Sequence, residues 1–197
     1  MDAVELDVLA DGGTLAVAHD HGGSALALDD VLAFLAQRDV AVHVDLKAPA
    51  IEREVAHALR RHDLVDRSLV SSFRPRALRR FADAESRVPR SLTYPEDRLG
   101  ISRRRPFSVA VRGGLIAARR LLPRRLPGMV ERAEATAATL HHAVITPAAI
   151  ESCHARGFAI WAWTVNDAAV AAQLESWGVD AIITDDPRSV PGGMTDT

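Results

Sequence analysis

Apolar residues recur along the chain in two alternating patterns. Short runs, "AVELDVL", "LAVAHD", "VAVHVDLK", "SLVSSF", "RSLTY", "ATAATLHHAVIT", "AIWAWTV" and "AIITDDP", read as strands. Between them, "ALDDVLAFLAQRD", "AIEREVAHALRRHD", "RPRALRRFADAE", "TPAAIESCHARG" and "DAAVAAQLESWG" carry apolar residues at helical spacing, as in Val55 with Leu59 and Val170 with Leu174. Pro75, Pro147 and Asp167 mark helix starts, and Gly157 and Gly178 mark two ends. Strand and helix in alternation predict a parallel sheet with helices outside. Seven principal strands are expected, with "LAVAHD" a short return segment after the "DGG" turn. A complete eightfold barrel takes about 250 residues, roughly 31 per strand-helix unit. The expected fold is therefore α/β, of the (β/α)8 TIM-barrel type, with about seven units and its N-terminal unit missing. One domain over residues 1–190 and a flexible tail over 191–197 complete the expectation. A barrel short of one strand leaves two sheet edges unpaired, which predicts self-association.

Composition narrows the class. Hydrophobic residues at 48% and charged residues at 25% suit a globular protein. No apolar run approaches the roughly 20 residues of a membrane-spanning helix. Cys153 is the only cysteine, so no internal disulfide can form. A reducing compartment is favoured, and a cytoplasmic location is expected for the chain as written. Cys153 falls in a helical pattern and is expected in the core.

The net charge of −2 conceals an asymmetry: nine arginines and no acid lie between Arg98 and Val130. Fifteen basic residues against 26 acids remain elsewhere. Within 98–130, arginine pairs interleave with Leu and Ile. Such a segment is either a solvated outer helix and loop or a peripheral contact with an anionic membrane surface. It offers no aromatic stacking platform, so nucleic acid is not an expected partner. Pro123 and Pro127 are expected to break any long helix there.

Candidate chemistry follows the strand period. Glu5 and Asp7, two apart, project to one face of a strand. Buried together they would repel unless a cation lay between them, and hard divalent cations take carboxylate oxygens. The alternative is an edge strand with both acids in water. His19 and Asp20 end the next run, where a barrel histidine is placed for acid–base work, although single histidines are more often structural. "VHVDLK" adds Asp45, a third candidate ligand, and Lys47, the sole lysine, suited to an anionic substrate. A buried Asp/Lys pair is costly unless it has a task. Trp161 and Trp163 share a strand face, and Trp163 walls a pocket or packs in the core. Asn166 lies at the end of that strand, and Thr184 and Asp185 end the last strand, for which a structural role is expected.

The order of these motifs resembles the glycerophosphodiester phosphodiesterase family: "VELDV", a "DG" turn, "HD", "VDLK", "SSF", "AWTVND" and "GVDAIITDDP". The resemblance runs to about Pro187. It implies a metal-dependent (β/α)8 barrel that hydrolyses glycerophosphodiesters, small molecules, to glycerol phosphate and an alcohol. By position, Glu5 and Asp7 match the metal-binding Glu-x-Asp pair. Asp45 matches an acidic ligand that is usually glutamate. Lys47 matches a phosphate-facing lysine, His19 the second catalytic histidine, a general acid, and Trp163 the pocket tryptophan. The implied cofactor is a divalent metal, Ca²⁺ or Mg²⁺. The family's His-Arg-Gly strand end and Pro-Glu-Asn segment have no counterpart, and His21, His43, His141 and His142 fall elsewhere than its first histidine. The insertion that usually follows "HD" is replaced by a few residues, so an open pocket is expected.

Two other readings stay open at this point. One is an inactive or weakly active truncated barrel that binds phosphate ligands or a membrane surface without turnover. The other is a barrel whose carboxylates act as acid and base on sugars.

Overall fold

The structure, a computed structural model, describes residues 3–18, 25–95, 109–188 and 190, and only the backbone of 109–118. The chain forms two compact units, Met1–Leu92 with Ala133–Ala135, and Thr93–Arg132 with Thr136–Thr197.

The first unit opens with β1 (Ala3–Asp11) and β2 (Thr14–Val17), an antiparallel hairpin in register from Val8 opposite Val17 to Asp11 opposite Thr14. Its two-residue turn is Gly12–Gly13, with φ of 55° and 87°. Two consecutive positive φ values match the strand twist, and glycine adopts them without Cβ strain. A two-residue strand, β3 (Leu26–Ala27), pairs with β2 and leads into α1 (Leu28–Ala36). Then follow β4 (Ala41–Leu46), α2 (Glu52–Arg61), β5 (Ser68–Ser72), α3 (Pro75–Ala84) and β6 (Arg90–Tyr94), of which the first unit holds Arg90 to Leu92. Strands β1, β4, β5 and β6 run parallel, the last pairing through Arg90–Leu92.

Alternation on β4 sorts its side chains. Val42, Val44 and Leu46 face the helical layer and are fully buried, with Val55 and Leu59 of α2 and Leu78 and Phe81 of α3 completing that core. Each such side chain contributes about 1.5–3 kcal/mol of burial. The opposite face of β4 carries His43 and Asp45, both buried polar groups. A polar group at that depth costs free energy unless it is partnered, and this face holds the candidate site.

The second unit contains α4 (Val109–Arg132), β7 (Ala137–His141), α5 (Pro147–His154), β8 (Ala159–Trp163), α6 (Ala168–Trp177) and β9 (Ala181–Ile182). β7, β8 and β9 are parallel. With the four of the first unit they match the seven strands counted from the pattern; β2 and β3 are the antiparallel additions. Thr146 caps α5 ahead of Pro147, and Asp167 caps α6 by accepting from the amides of Ala169 and Val170. Gly178 closes α6 in the left-handed conformation.

One expectation is overturned here. Pro123 and Pro127 do not end the helix, for α4 runs through both. Leu122, Leu126 and Val130, at successive i+4 positions, are buried on one side of it. Tertiary packing of that stripe outweighs the local cost of two prolines, which is the usual source of helical stability in proteins. No described helix is long and apolar enough to cross a membrane.

Cys153 is fully buried on α5, as the pattern predicted. Burial raises its thiol to about 11. The thiolate is the reactive form. Ellman's reagent should therefore react negligibly with the native chain at pH 8 and titrate one thiol once guanidinium unfolds it. Rapid native-state labelling would contradict the burial.

Candidate active site

Parallel pairing of β1 with β4 sets Glu5 beside His43 and Asp7 beside Asp45. Because both strands alternate with period two, the four side chains share one face. The pairing extends past β4, with the Lys47 amide donating to the Val8 carbonyl at 2.9 Å. Lys47 thus continues the series His43, Asp45, Lys47.

One carboxylate oxygen each from Glu5, Asp7 and Asp45 lies within 4.8 Å of the others. The three acids differ in exposure: the Asp45 side chain is 3% exposed, Asp7 16% and Glu5 34%. Lys47 Nζ meets Asp7 Oδ1 at 3.1 Å and also donates to Asp45 Oδ2. Burial pulls the Lys47 pKa down, but the Asp45 and Asp7 charges and their hydrogen bonds outweigh it and hold the ammonium above its ordinary value. The lysine is therefore a firm cation. Three carboxylates against one ammonium leave a formal excess of two negative charges. Hard oxygen donors in that number and with that charge fit a divalent cation such as Ca²⁺ or Mg²⁺.

β5 backs the cluster. Ser71, the register partner of Asp45, donates its hydroxyl to Asp45 Oδ1 at 2.9 Å. Ser71 Oγ is also 2.8 Å from His43 Nε2, while His43 Nδ1 lies 3.9 Å from Glu5 Oε1. Burial lowers the His43 pKa to about 4, against a smaller opposing pull from Asp45, so the ring is neutral at pH 7. After β5, Arg74 Nη2 donates to the Lys47 carbonyl at 2.9 Å, and the Phe73 ring centre lies 5.5 Å from Lys47 Nζ.

The structure thus brings together Glu5, Asp7, Asp45 and Lys47, four of the six residues singled out in the sequence. His19 lies outside the described residues. Trp163 ends β8 in the second unit, where its indole N–H donates to the Thr139 carbonyl at 3.1 Å and its ring meets His141 edge-on at 5.2 Å. Nearby, Asn166 Oδ1 accepts from the Thr184 hydroxyl and the Asp185 amide, tying the end of β8 to the end of β9. Sequence reasoning missed His43, Ser71 and Arg74. The period of two in "VHVDLK" carried the signal for His43; Ser71 lies in the "SSF" motif, which was given no role, and nothing local marked Arg74.

A model of the Glycerophosphoryl diester phosphodiesterase family matches residues 28–189. That span holds Asp45, Lys47 and Trp163 but starts after Glu5, Asp7 and His19, so the placement of Glu5 and Asp7 rests on the strand geometry above. The chain is similar to YhdW of Bacillus subtilis (strain 168), a candidate glycerophosphodiester phosphodiesterase, at 28% identity over 137 residues, 70% of this chain and 47% of that protein. It spans about half the length of the curated relatives it matches, 47% of one and 59% of another. Among solved structures, an Oleispira antarctica phosphodiesterase in complex with the product sn-glycerol-3-phosphate superposes with a TM-score of 0.71 at 18% identity, over 96% of this chain and 83% of that one. A glycerophosphodiester phosphodiesterase from Parabacteroides distasonis ATCC 8503 gives 0.69 at 20%, over 94% and 80%. Identities this low establish the fold alone, α/β of the TIM-barrel type expected from the pattern.

Proposed function

The chain belongs to the Glycerophosphoryl diester phosphodiesterase family, and from that premise we propose that its site hydrolyses glycerophosphodiesters to glycerol phosphate and an alcohol. The observation that carries this reading is the convergence of Glu5, Asp7 and Asp45 oxygens within 4.8 Å, with the Lys47 ammonium against two of them. Glu5, Asp7 and Asp45 would hold the divalent cation, Ca²⁺ or Mg²⁺. When bound, such an ion supplies Lewis acidity that polarises phosphoryl oxygens. Lys47 offers a fixed positive charge to the non-bridging oxygens, whose charge grows toward the transition state. Asp7 and Asp45 hold that ammonium in place, so little reorganisation accompanies the reaction. His19 is the proposed general acid: it protonates the departing alkoxide as water adds to phosphorus and the P–O bond to the alcohol breaks, while the proton lost by the water goes to bulk solvent, from which His19 is reprotonated. Trp163 is the proposed pocket wall for the substrate.

The test is hydrolysis of glycerophosphocholine by the purified chain, with Ca²⁺ or Mg²⁺ and with excess chelator. Turnover that chelation abolishes, and that His19→Ala lowers by about 10²–10⁴-fold, is expected. Chelator-insensitive turnover, or none with either ion, would overturn the proposal.

A peripheral membrane contact is the second element of the proposal. Arg120, Arg124 and Arg125 are exposed on α4, and Leu121 among them is 43% exposed, on the side away from Leu122, Leu126 and Val130. Each arginine near an anionic surface is worth about 1 kcal/mol. The chain should sediment with phosphatidylserine-containing vesicles at low salt, less so at 0.5 M salt, and not with pure phosphatidylcholine vesicles. Equal recovery with both lipids would exclude the electrostatic contact.

A further inference from the structure

We infer that His43 and Ser71 form a two-residue relay that positions the Asp45 carboxylate for metal binding, an inference that rests on the metal reading of the site. The two are positioning residues: neither is needed as a ligand. The geometry starts from Asp45, whose carboxylate hangs on a single methylene. So short a side chain keeps the carboxylate close to its own strand, and its direction depends on neighbours. Both of its oxygens have them: Oδ1 accepts from Ser71 at 2.9 Å, and Oδ2 accepts from Lys47.

The proton count then fixes the relay. A serine hydroxyl has one proton, and Ser71 gives it to a carboxylate that only accepts. The Ser71 oxygen must therefore accept from His43 Nε2, 2.8 Å away. His43 Nε2 is thus the donor of that hydrogen bond. The chain of donors runs His43 to Ser71 to Asp45, each link holding the next in one rotamer. Register supports it. Ser71 is the cross-strand partner of Asp45, and His43 is two residues before Asp45 on the same face. All three are buried, with exposures of 1% for His43, 2% for Asp45 and 1% for Ser71. In that low-dielectric setting each hydrogen bond is stronger than in water. Partners of this kind orient metal ligands, and their loss typically weakens metal binding by about 10–100-fold.

The test uses the full chain and three metals. Terbium luminescence and calcium and magnesium calorimetry give the Kd, and circular dichroism melts report folding. Ser71→Ala and His43→Leu should each weaken binding by about tenfold or more. The double variant should bind no more weakly than Ser71→Ala alone, because both substitutions cut one path. His43→Gln, whose amide N–H can reach the same hydroxyl, should restore most of the affinity. Should Ser71→Ala unfold, Ser71→Thr and Ser71→Val provide the comparison. They match in volume and differ in the hydroxyl, so Thr should retain the affinity that Val loses. A purely structural role would lower the melting temperature and leave Kd unchanged in folded variants. Unchanged Kd, or effects of the two sites that multiply, would overturn the relay while leaving the metal site intact. If the unaltered chain binds none of terbium, calcium and magnesium, the metal reading fails first and the relay with it.

Discussion

Lys47→Met is expected to lower turnover of glycerophosphocholine by about 10²–10³-fold, the usual loss when a preorganised charge-stabilising group is removed. The same substitution should make folding depend on calcium. The ammonium lies 3.1 Å from Asp7 and also binds Asp45, whose side chain is 3% exposed. Methionine keeps most of the volume and removes the cation, leaving a buried carboxylate without its counter-ion. An uncompensated buried charge is among the few causes of large destabilisation. A divalent ion on Glu5, Asp7 and Asp45 supplies the missing charge. Calcium in about hundredfold excess over Kd stabilises a folded site by about 2.7 kcal/mol. The gain in melting temperature on adding calcium should be larger for the variant than for the parent, because the ion meets a stronger local field. Thermal melts with and without calcium, beside steady-state kinetics at saturating metal, decide the matter. A variant with parental kcat would remove Lys47 from the chemistry. One that melts as the parent does without metal would show that Asp45 does not depend on the lysine.

Asp45→Asn should abolish metal-dependent turnover, by about 10²-fold or more. The amide retains an oxygen for the Ser71 hydroxyl, so the His43–Ser71 contacts persist. Its other end, however, presents an N–H group where Oδ2 accepts from Lys47. Two donors then face each other, and the third carboxylate charge is gone. Metal affinity falls for both reasons. Lys47 keeps its Asp7 partner, so the chain should still fold, with a lowered melting point that calcium no longer raises appreciably. Titration of activity against calcium, with calorimetry in parallel, separates weaker binding from impaired chemistry. Full activity restored at high calcium would mean that Asp45 serves only affinity. Parental affinity in the variant would exclude it as a ligand.

The residues differ in how far local pattern revealed them. Glu5, Asp7, Asp45 and Lys47 sit on strands at period two, so a shared face followed from strand geometry alone, and pairing β1 with β4 brought the two faces into one. Asp167, as a cap, and Gly178, as a left-handed helix end, were similarly readable because capping is satisfied within a few residues. α4 was misread at Pro123 and Pro127 because the compensation comes from burying Leu122, Leu126 and Val130 against other parts of the fold, which no local window contains. The short final strand, Ala181–Ile182, is less than the run "AIITDDP" implied, since strand length is set by the neighbour that pairs with it.

By itself, the sequence determined the alternation of strands and helices, the seven parallel strands, the buried cysteine and the candidate carboxylates with their lysine. Each depends on spacing along the chain, and spacing is what a sequence records. Only the tertiary structure decided that β1 lies beside β4 in the register that aligns Asp7 with Asp45. It also decided that Ser71, 26 residues from Asp45, donates to it, and that His43 lies within that hydrogen-bonded chain. Long-range pairing is chosen by the burial and hydrogen bonding of the whole sheet, a cooperative balance that no single segment carries.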